Sequence, residues 1–347
     1  MKHKGPSIGR REPLSDSNLL FLIAAGIFVF LYAIAMIFLS GKGYLSPEKF
    51  LDLFNNNASL IILTCGLSIV MVGGGIDISV GGVTALTTMV CTVYLESAGG
   101  GAGNVWWSLG IALCVGLAFG LVQGFLIAYL DIQPFIITLA GMIFARGLAT
   151  ILDSSNLKVT NAAFLKFMSS KPETGAASLD QFLGKFFSLV SVGTLIAIVV
   201  VAAVAVMLKW TRFGRNLYAV GGNKQSALTL GINVRFTKFM SYLICGFLGG
   251  IAGFVYLMKV VTGYYLHANA FEMKAIAASI IGGTMLTGGV GNIIGSVFGV
   301  LTLVIIESLV VQSGLSVGRS YLQTISTGAM LCLFILMQSV VLSKRKK

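Results

Sequence analysis

One carboxylate lies in the middle of a glycine-rich, apolar stretch of this chain. Residues 71–82 read MVGGGIDISVGG, so Asp77 precedes Ser79 and is flanked by glycines on both sides. A charge at membrane depth costs about 2.5–3.5 kcal/mol on insertion scales, and helix packing alone does not require one. Asp77 and Ser79 are therefore candidates for polar groups that line a solute pathway. A structural alternative stays open, in which Asp77 caps the start of a helix.

A comparable segment occurs in the second half, where residues 281–295 read IGGTMLTGGVGNIIG. In hydrocarbon an unpaired backbone group costs several kcal/mol, so a break in a helix is tolerated only where protein or a watery cavity covers it. Glycine-interrupted segments in both halves are typical of transporter pathways. We interpret the two segments as a weak internal duplication, although they fall at different crossings of a five-plus-five division. Tight helix packing through small residues is the alternative.

The other ionisable groups do not form a catalytic or metal-binding set. Arg146 and Glu307 lie well inside apolar runs, His267 falls in a predicted outer loop, and His3 is near the N-terminus. We expect Arg146 to reach the outer interface, and Glu307 either to pair with Arg146 or to face a subunit interface. The phosphate-binding pattern GxxxxGK[ST] does not occur. We therefore expect no catalytic site, no metal site and no cofactor on this chain.

Composition identifies the solvent of this chain. Of its 347 residues, 56% are hydrophobic and only 10% are charged, whereas a soluble domain carries about 25% charged residues. The net charge is +12, and the basic residues cluster beside apolar runs, which is typical of membrane orientation and not of nucleic-acid binding. The sequence thus predicts an all-α, polytopic protein embedded in a lipid bilayer.

The apolar runs predict about ten transmembrane helices, and eight to ten are compatible with the pattern. We divide the chain into a cytoplasmic tail (1–18), one transmembrane domain (19–342) and a basic cytoplasmic tail (343–347). The runs 58–72 and 275–289 are short for a span of about 20 residues and predict tilted helices, half-helices or re-entrant pieces. Basic residues at both termini and in 209–238 predict that these three segments are cytoplasmic.

The basic segment 209–238 contains a predicted short helix. Asn223 is suited to cap a helix over Lys224–Leu230, and Gly231 to close it. One face of this helix offers three apolar residues, Ala227, Leu230 and the nearby Ile232. An amphipathic helix at a loop tip is suited to a groove on another subunit. The alternative is a basic loop that contacts anionic lipid.

Four stretches, in this order, make the chain resemble the permeases of bacterial ABC sugar importers. They are Gly73–Gly82, Gln133–Met142, Thr211–Asn223 and Ile281–Gly291. The resemblance covers about 55–340 and is to the ribose/galactose/xylose branch, closest in appearance to galactofuranose-type permeases. The chain departs from the family pattern at two positions. Ile78 replaces the usual leucine of Ile-Asp-Leu-Ser, and Ser226 precedes Ala227 where the family has Asn-x-x-Ala-Ala.

This resemblance implies a permease in a bacterial inner membrane that translocates a monosaccharide. Its implied partners are a cytoplasmic ATPase that binds the ATP, an extracytoplasmic sugar-binding protein, and a second permease subunit of the same or a related sequence. Closure of the ATPase would move the helix after Asn223 and switch the pathway between its two open states. The residues predicted to couple to the ATPase are Arg212, Gly214, Asn223, Ser226, Ala227 and Gly231.

Three further residues are predicted to line the route, because aromatic faces and small hydrogen-bonding groups suit a weakly held sugar. They are Phe135, Thr138 and Asn292. A permease for nucleosides or another small polar solute is the alternative on the same scaffold. A partner-independent channel or carrier would need its own gate or ion site. A membrane enzyme would need a nucleophile–base pair or a metal cluster, and the two histidines outside the apolar runs argue against one.

Overall fold

The computed structural model of the chain describes residues 16–39, 41, 43–97, 103–169, 189–312 and 325–336. The predicted tail 343–347, most of the tail 1–18 and His3 lie outside these ranges. The described residues form an all-α protein, as predicted, apart from one small pair of strands.

Thirteen helices and two strands follow one another in the described residues. They are α1 (Asp16–Phe38), α2 (Pro47–Val72), α3 (Val80–Glu96), α4 (Val105–Tyr129), α5 (Pro134–Leu152), β1 (Leu157–Lys158), α6 (Ala162–Ser169), α7 (Val192–Trp210), α8 (Arg212–Gly222), α9 (Lys224–Thr229), α10 (Val234–Val260), β2 (Thr262–Gly263), α11 (Phe271–Ile281), α12 (Ile293–Gln312) and α13 (Ile325–Leu336). The strands pair antiparallel, with Leu157 opposite Gly263.

Seven of these helices are long and apolar enough to cross a membrane, counting only the described residues. They are α1, α2, α4, α5, α7, α10 and α12. Helices α3 and α13 are apolar but shorter. Helix α11 has 11 residues and ends at Ile281, so the prediction of a short piece in 275–289 is confirmed.

The prediction that 58–72 is a short run was wrong, because α2 has 26 residues and begins at Pro47. Asn55, Asn56 and Asn57 precede the apolar run but belong to the same helix. The Asn55 amide donates to Leu189 O at 2.7 Å, and the Asn57 amide donates to Leu53 O at 2.8 Å. These bonds let the helix continue through the polar segment.

Helix α10 packs closely against α4 through glycines. Gly116 and Gly120 of α4 face Gly246 and Gly250 of α10, and a Cβ on Gly120 would lie 2.7 Å from Tyr242 O. The two backbones are therefore in direct contact, as in other membrane helix pairs built on small residues. Because Gln123 is three residues after Gly120, it shares the face of α4 that is turned toward the bundle.

The bundle has two ends that differ in composition. At one end the segments 73–79 and 282–292 meet the last residues of α8, and Gly289 N donates to Val72 O at 2.9 Å. We call this the break end. At the other end, which we call the strand end, β1 and β2 pair and Glu96 accepts a hydrogen bond from Thr160 N at 2.7 Å.

Candidate functional site

Helices α2 and α11 end in the same way. Gly73 N donates to Ile69 O and Gly75 N to Val70 O, while Gly282 N donates to Ala278 O and Thr284 N to Ser279 O. The intervening Gly74 and Gly283 have φ values of +76° and +90°. This is the glycine-closed helix end in which a left-handed residue satisfies the last carbonyls. The helix ends at the two breaks therefore have equivalent local geometry, which supports the internal duplication.

After each break, a side-chain oxygen accepts a backbone N–H near the start of the next helix. Asp77 Oδ1 accepts hydrogen bonds from Ser79 N at 2.9 Å and from Ser79 Oγ at 2.6 Å, immediately before α3. Asn292 Oδ1 accepts from Ile294 N at 2.9 Å, at the start of α12. Asn292 caps α12, since its Oδ1 also accepts from Gly295 N. Asp77 instead lies two residues before Ser79, the N-cap residue of α3, and accepts from that residue.

Asp77 and Ser79 connect to a residue that the sequence analysis missed. Gln123 Oε1 of α4 lies 3.0 Å from Ser79 Oγ, and Gln123 and Asp77 are 4% and 2% exposed. The space beside Asp77 and Ser79 has no room for a water molecule. The sequence contained one sign of this position, because Gln123 is the one amide side chain in the apolar helix α4. A buried amide requires hydrogen-bond partners, so such a residue marks a polar contact.

A groove lies on the other side of Gln123, between α4 and α5. Its volume is about 330 Å³, at the lower end of the range of ligand sites. Besides Gln123, it is lined by Ala118, Phe119, Val122, Leu126, Ile137, Ala140, Gly141 and Phe144. Gln123 also lines the closed space around Asp77 and therefore lies between the groove and the carboxylate.

The other predicted pathway residues occupy different positions. Phe135 is 51% exposed on α5, and the buried Thr138 donates its hydroxyl to Pro134 O at 2.9 Å. Asn292 belongs to the second break. The structure therefore brings together Asp77 and Ser79, while Phe135, Thr138 and Asn292 make no hydrogen bond with either of them among the described residues.

A cluster of hydroxyls lies beside the second break. Ser68 Oγ of α2 is 2.9 Å from Ser279 Oγ of α11 and 2.9 Å from Ser296 Oγ of α12. Thr284 Oγ1 is 3.4 Å from Ser296 Oγ. All four side chains are buried, and they satisfy one another. The cluster therefore holds three helices together and offers little free hydrogen-bonding capacity.

The predicted short helix in 209–238 is confirmed as α9. Asn223 Oδ1 accepts from Ser226 N at 2.9 Å, and the helix ends at Thr229, one residue before the predicted Leu230. Gly231 has a φ of +77° and closes the helix, with Ile232 N donating to Ala227 O at 3.1 Å.

Of the three residues predicted to form the apolar face of α9, only Leu230 is exposed, and Ile232 is half-buried against the cluster that contains Ala227. Ala227 is 1% exposed, because it packs against Val220 and Val234. This contact anchors α9 to α8 and α10. Leu228 and Leu230 are the exposed apolar residues, at 47% and 76%. These two side chains form the free apolar surface of the loop.

Two other predicted coupling residues lie where α7 turns into α8. Arg212 is exposed, while Gly214 is buried and its N–H donates to Thr211 Oγ1 at 3.2 Å. A Cβ on Gly214 would lie 2.6 Å from Leu208 Cα. Gly214 thus permits the close turn, and Arg212 supplies positive charge at the surface.

The charged residues at the strand end do not pair as one alternative predicted. Glu307 pairs with Lys274 of α11, with Nζ 2.8 Å from Oε1, so the Arg146–Glu307 pair was wrong. Lys274 directly precedes the apolar run 275–289, so it was not among the charges predicted to lie inside an apolar run. Arg146 instead donates to Ala268 O at 3.2 Å, in the loop before α11. In the same loop, partial burial lowers the pKa of His267, which keeps this side chain neutral beside Arg146 at neutral pH.

Comparison with known proteins decides the family. Residues 50–337 match the family described as branched-chain amino acid transport system, permease component. The chain belongs to this family. The permease is 35% identical to a fructose import permease protein of Bifidobacterium longum over 292 residues, which cover 84% of this chain and 83% of that protein. No solved structure matches the chain.

Two relatives from Escherichia coli cover the permease almost completely. An inner membrane ABC transporter permease protein is 33% identical and aligns over 92% of each chain. A galactose/methyl galactoside import permease protein is 29% identical and aligns over 95% of this chain and 98% of its own. The resemblance to permeases of ABC sugar importers is thereby confirmed. With its long apolar helices, the chain is a multi-pass membrane permease.

Proposed function

We propose that this permease is the membrane-spanning subunit of an ATP-driven importer for a monosaccharide or a similar neutral polyol. The observation that carries the proposal is the similarity, over more than four fifths of each chain, to permeases named for the import of fructose and of galactose. The groove beside Gln123 agrees with it, because no charged side chain is among the described residues that line it. The membrane is the bacterial inner membrane, as for the inner membrane permease protein of Escherichia coli.

The proposed topology has ten crossings, made by α1–α5, α7, α10, α11, α12 and α13. Helix α11 is too short to cross alone, so the segment 282–292 completes its path. The break end is cytoplasmic, because basic residues are enriched in cytoplasmic loops. The basic residues of the α7–α10 connection are Lys209, Arg212, Arg215, Lys224, Arg235 and Lys238. Both termini then lie on the cytoplasmic side.

Helices α8 and α9 form the proposed socket for the ATPase. Leu228 and Leu230 are exposed there among basic residues, as suits insertion into a groove of a partner. The opposite side of α8 contacts the second break, where Tyr218 Oη donates to Gly291 O at 2.8 Å. A displacement of α8 and α9 by the ATPase would therefore move the second break and the end of α2.

Two further partners complete the proposed assembly. A second permease subunit, identical or related, would cover exposed apolar residues on α5 that lie outside the groove, such as Ile143 and Ile151. An extracytoplasmic binding protein would deliver the solute at the strand end. ATP binds to the ATPase subunit, and this chain supplies the path.

An amino-acid importer is the second candidate, because the family description names branched-chain amino acids. A zwitterion requires charged or strongly dipolar partners for its ammonium and carboxylate groups. The groove offers one amide and mainly apolar side chains, which favours a neutral solute. Nucleosides and other small polar solutes remain compatible with the same scaffold.

The test is reconstitution of the permease in liposomes with its ATPase and binding protein. We expect ATP-dependent uptake of a monosaccharide among fructose, galactose and ribose, little uptake of leucine, and none without the ATPase. Uptake by the permease alone would contradict the proposal. Exclusive uptake of leucine would favour the second candidate.

A surface variant tests the ATPase socket. Leu228→Asp should lower ATPase association at least about tenfold, because it places a desolvated charge in the contact. Leu266→Asp is the matched control, since Leu266 has the same 47% exposure but lies in the loop before α11 at the strand end. Equal association of both variants would remove Leu228 from the socket.

A further inference from the structure

Gln123 has hydrogen-bonding capacity that the rest of the described protein does not use. Its side chain is 4% exposed, and Nε2 has no partner among the described residues. Buried polar atoms in folded proteins are paired in the great majority of cases, and exceptions often mark functional positions. The unpaired atom is covered in this conformation, and the groove that Gln123 lines is the space toward which the amide would turn to meet a partner.

The hydrogen count at Ser79 strengthens this point. Ser79 Oγ carries one hydrogen and lies 2.6 Å from Asp77 Oδ1 and 3.0 Å from Gln123 Oε1. When the hydrogen goes to the closer carboxylate, Ser79 Oγ can only accept from the amide of Gln123. The amide then turns Nε2 toward Ser79 and leaves Oε1 free. In either orientation one polar atom of Gln123 lacks a partner within the described residues.

Gly141 leaves room for the Gln123 amide at the wall of the groove. A Cβ on Gly141 would collide with Gln123 Nε2 and lie 3.1 Å from its Cδ. Gly141 and Gln123 both line the groove between α4 and α5. The missing side chain on α5 therefore creates the space that the amide occupies, and Ser79 with Asp77 holds it from behind.

The groove has the chemistry of a site for a neutral hydroxylated solute. The rings of Phe119 and Phe144 line it with centroids 6.1 Å apart, and Gln123 is the one polar side chain among its described lining residues. The free atom of the amide is a donor if it is Nε2 and an acceptor if it is Oε1, and a hydroxyl group can be the partner of either. Sites of this size commonly combine apolar walls with a few placed polar groups.

We propose that Gln123, oriented by Ser79 and Asp77, hydrogen-bonds a hydroxyl of the transported polyol as it passes through the α4/α5 groove. This inference rests on the proposed function and names the chain's own contact for that solute. Asp77 is then a positioning residue, since Gln123 stands between it and the groove. Ser79 transmits the orientation from Asp77 to Gln123.

The main test uses the complete transporter in liposomes, with radiolabelled galactose and fructose as probes. Gln123→Met keeps the length of the side chain and removes both polar atoms. We expect sugar transported per ATP hydrolysed to fall at least about tenfold, while binding-protein-stimulated ATP hydrolysis stays within about twofold of wild type. Gln133→Leu is the matched control, because Gln133 is an exposed amide just before α5. Its transport ratio should be unchanged.

Two results of this test overturn the proposal. One is a transport ratio for Gln123→Met within about twofold of wild type. The other is an equal fall of uptake and ATP hydrolysis, which indicates a purely structural amide. If the wild-type complex itself imports no sugar or other polyol, the proposed function fails. If it imports a sugar and Gln123→Met does so equally well, only this inference fails.

A labelling experiment tests whether the sugar enters the α4/α5 groove, even if Gln123→Met does not fold. Ala140 lines the groove and is exposed, so Ala140→Cys places a thiol there in a background without the exposed Cys114 and Cys332. We expect a water-soluble thiosulfonate to label it and the transported sugar to slow labelling at least about threefold. Labelling only by a lipid-soluble reagent, or no effect of sugar, would overturn the proposal because lipid would then fill the groove.

Discussion

The two glycine breaks begin alike and lead to different parts of the molecule. Each follows a helix closed by a left-handed glycine, Gly74 or Gly283, and near the end of each a side-chain oxygen of Asp77 or Asn292 accepts a backbone N–H. The first break spans 73–79 and the second spans the longer segment 282–292. The shared ends satisfy the backbone in a low-dielectric interior, which is a requirement at any such break.

The segments between these ends make the difference. In the first break, Asp77 connects through Ser79 to Gln123 and the groove. In the second, Met285 N donates to Val290 O at 3.0 Å, so the chain folds into a small turn that reaches α8. The two breaks thus share the same kind of helix end but lead to different places. The first leads to the proposed solute route, and the second leads to the proposed ATPase socket.

The largest expected effect comes from separating the second break from α8. A Cβ on Gly221 would contact Val72 O and lie 2.6 Å from Gly289 N, the two atoms that are joined by a hydrogen bond. Gly221→Ala should therefore lower ATP-driven uptake at least about tenfold in liposomes. Gly222→Ala is the control, since its nearest neighbour would be 4.0 Å away. Similar losses in both variants would contradict a specific contact at Gly221.

A reciprocal exchange of the two acceptor residues, Asp77 and Asn292, should give an intermediate effect. Asp77→Asn keeps an oxygen that accepts from Ser79, but an amide is a weaker acceptor than a carboxylate and holds Ser79 and Gln123 less firmly. We expect unchanged expression and an uptake about threefold to tenfold lower. Asn292→Asp should leave uptake within about twofold, because both residues are good caps. Wild-type uptake by Asp77→Asn would remove the carboxylate from the transport route.

The smallest expected effect compares the two left-handed glycines. Alanine in this conformation costs about 1–2 kcal/mol at either position. At Gly283 the new Cβ would also lie 2.6 Å from Leu20 Cβ, whereas at Gly74 the nearest atom would be 3.7 Å away. Gly283→Ala should therefore lower the Tm in detergent by a few degrees more than Gly74→Ala. The conversion is roughly 2–4 °C per kcal/mol, the value for domains of about 150–250 residues. Equal Tm values would contradict this prediction and would show that α1 shifts at Leu20 to make room for the new methyl group.

Local features of the fold could be predicted from the sequence. Asn223 and Gly231 predicted α9 because a cap and a closing glycine act on neighbouring residues. The prediction was wrong on Ala227, since its burial depends on Val220 and Val234 from other helices. The full length of α2 was missed for the same reason, because Asn55 bonds Leu189, which is 134 residues away.

The sequence by itself determined the solvent, the helical class, the places of the two breaks and the family. Each follows from composition, from glycine spacing or from motifs in order, which are properties of contiguous residues. Only the tertiary structure decided that Gln123 meets Ser79, that Lys274 pairs with Glu307 and that the second break contacts α8. These contacts join residues on different helices, and their partners are selected by how the helices pack.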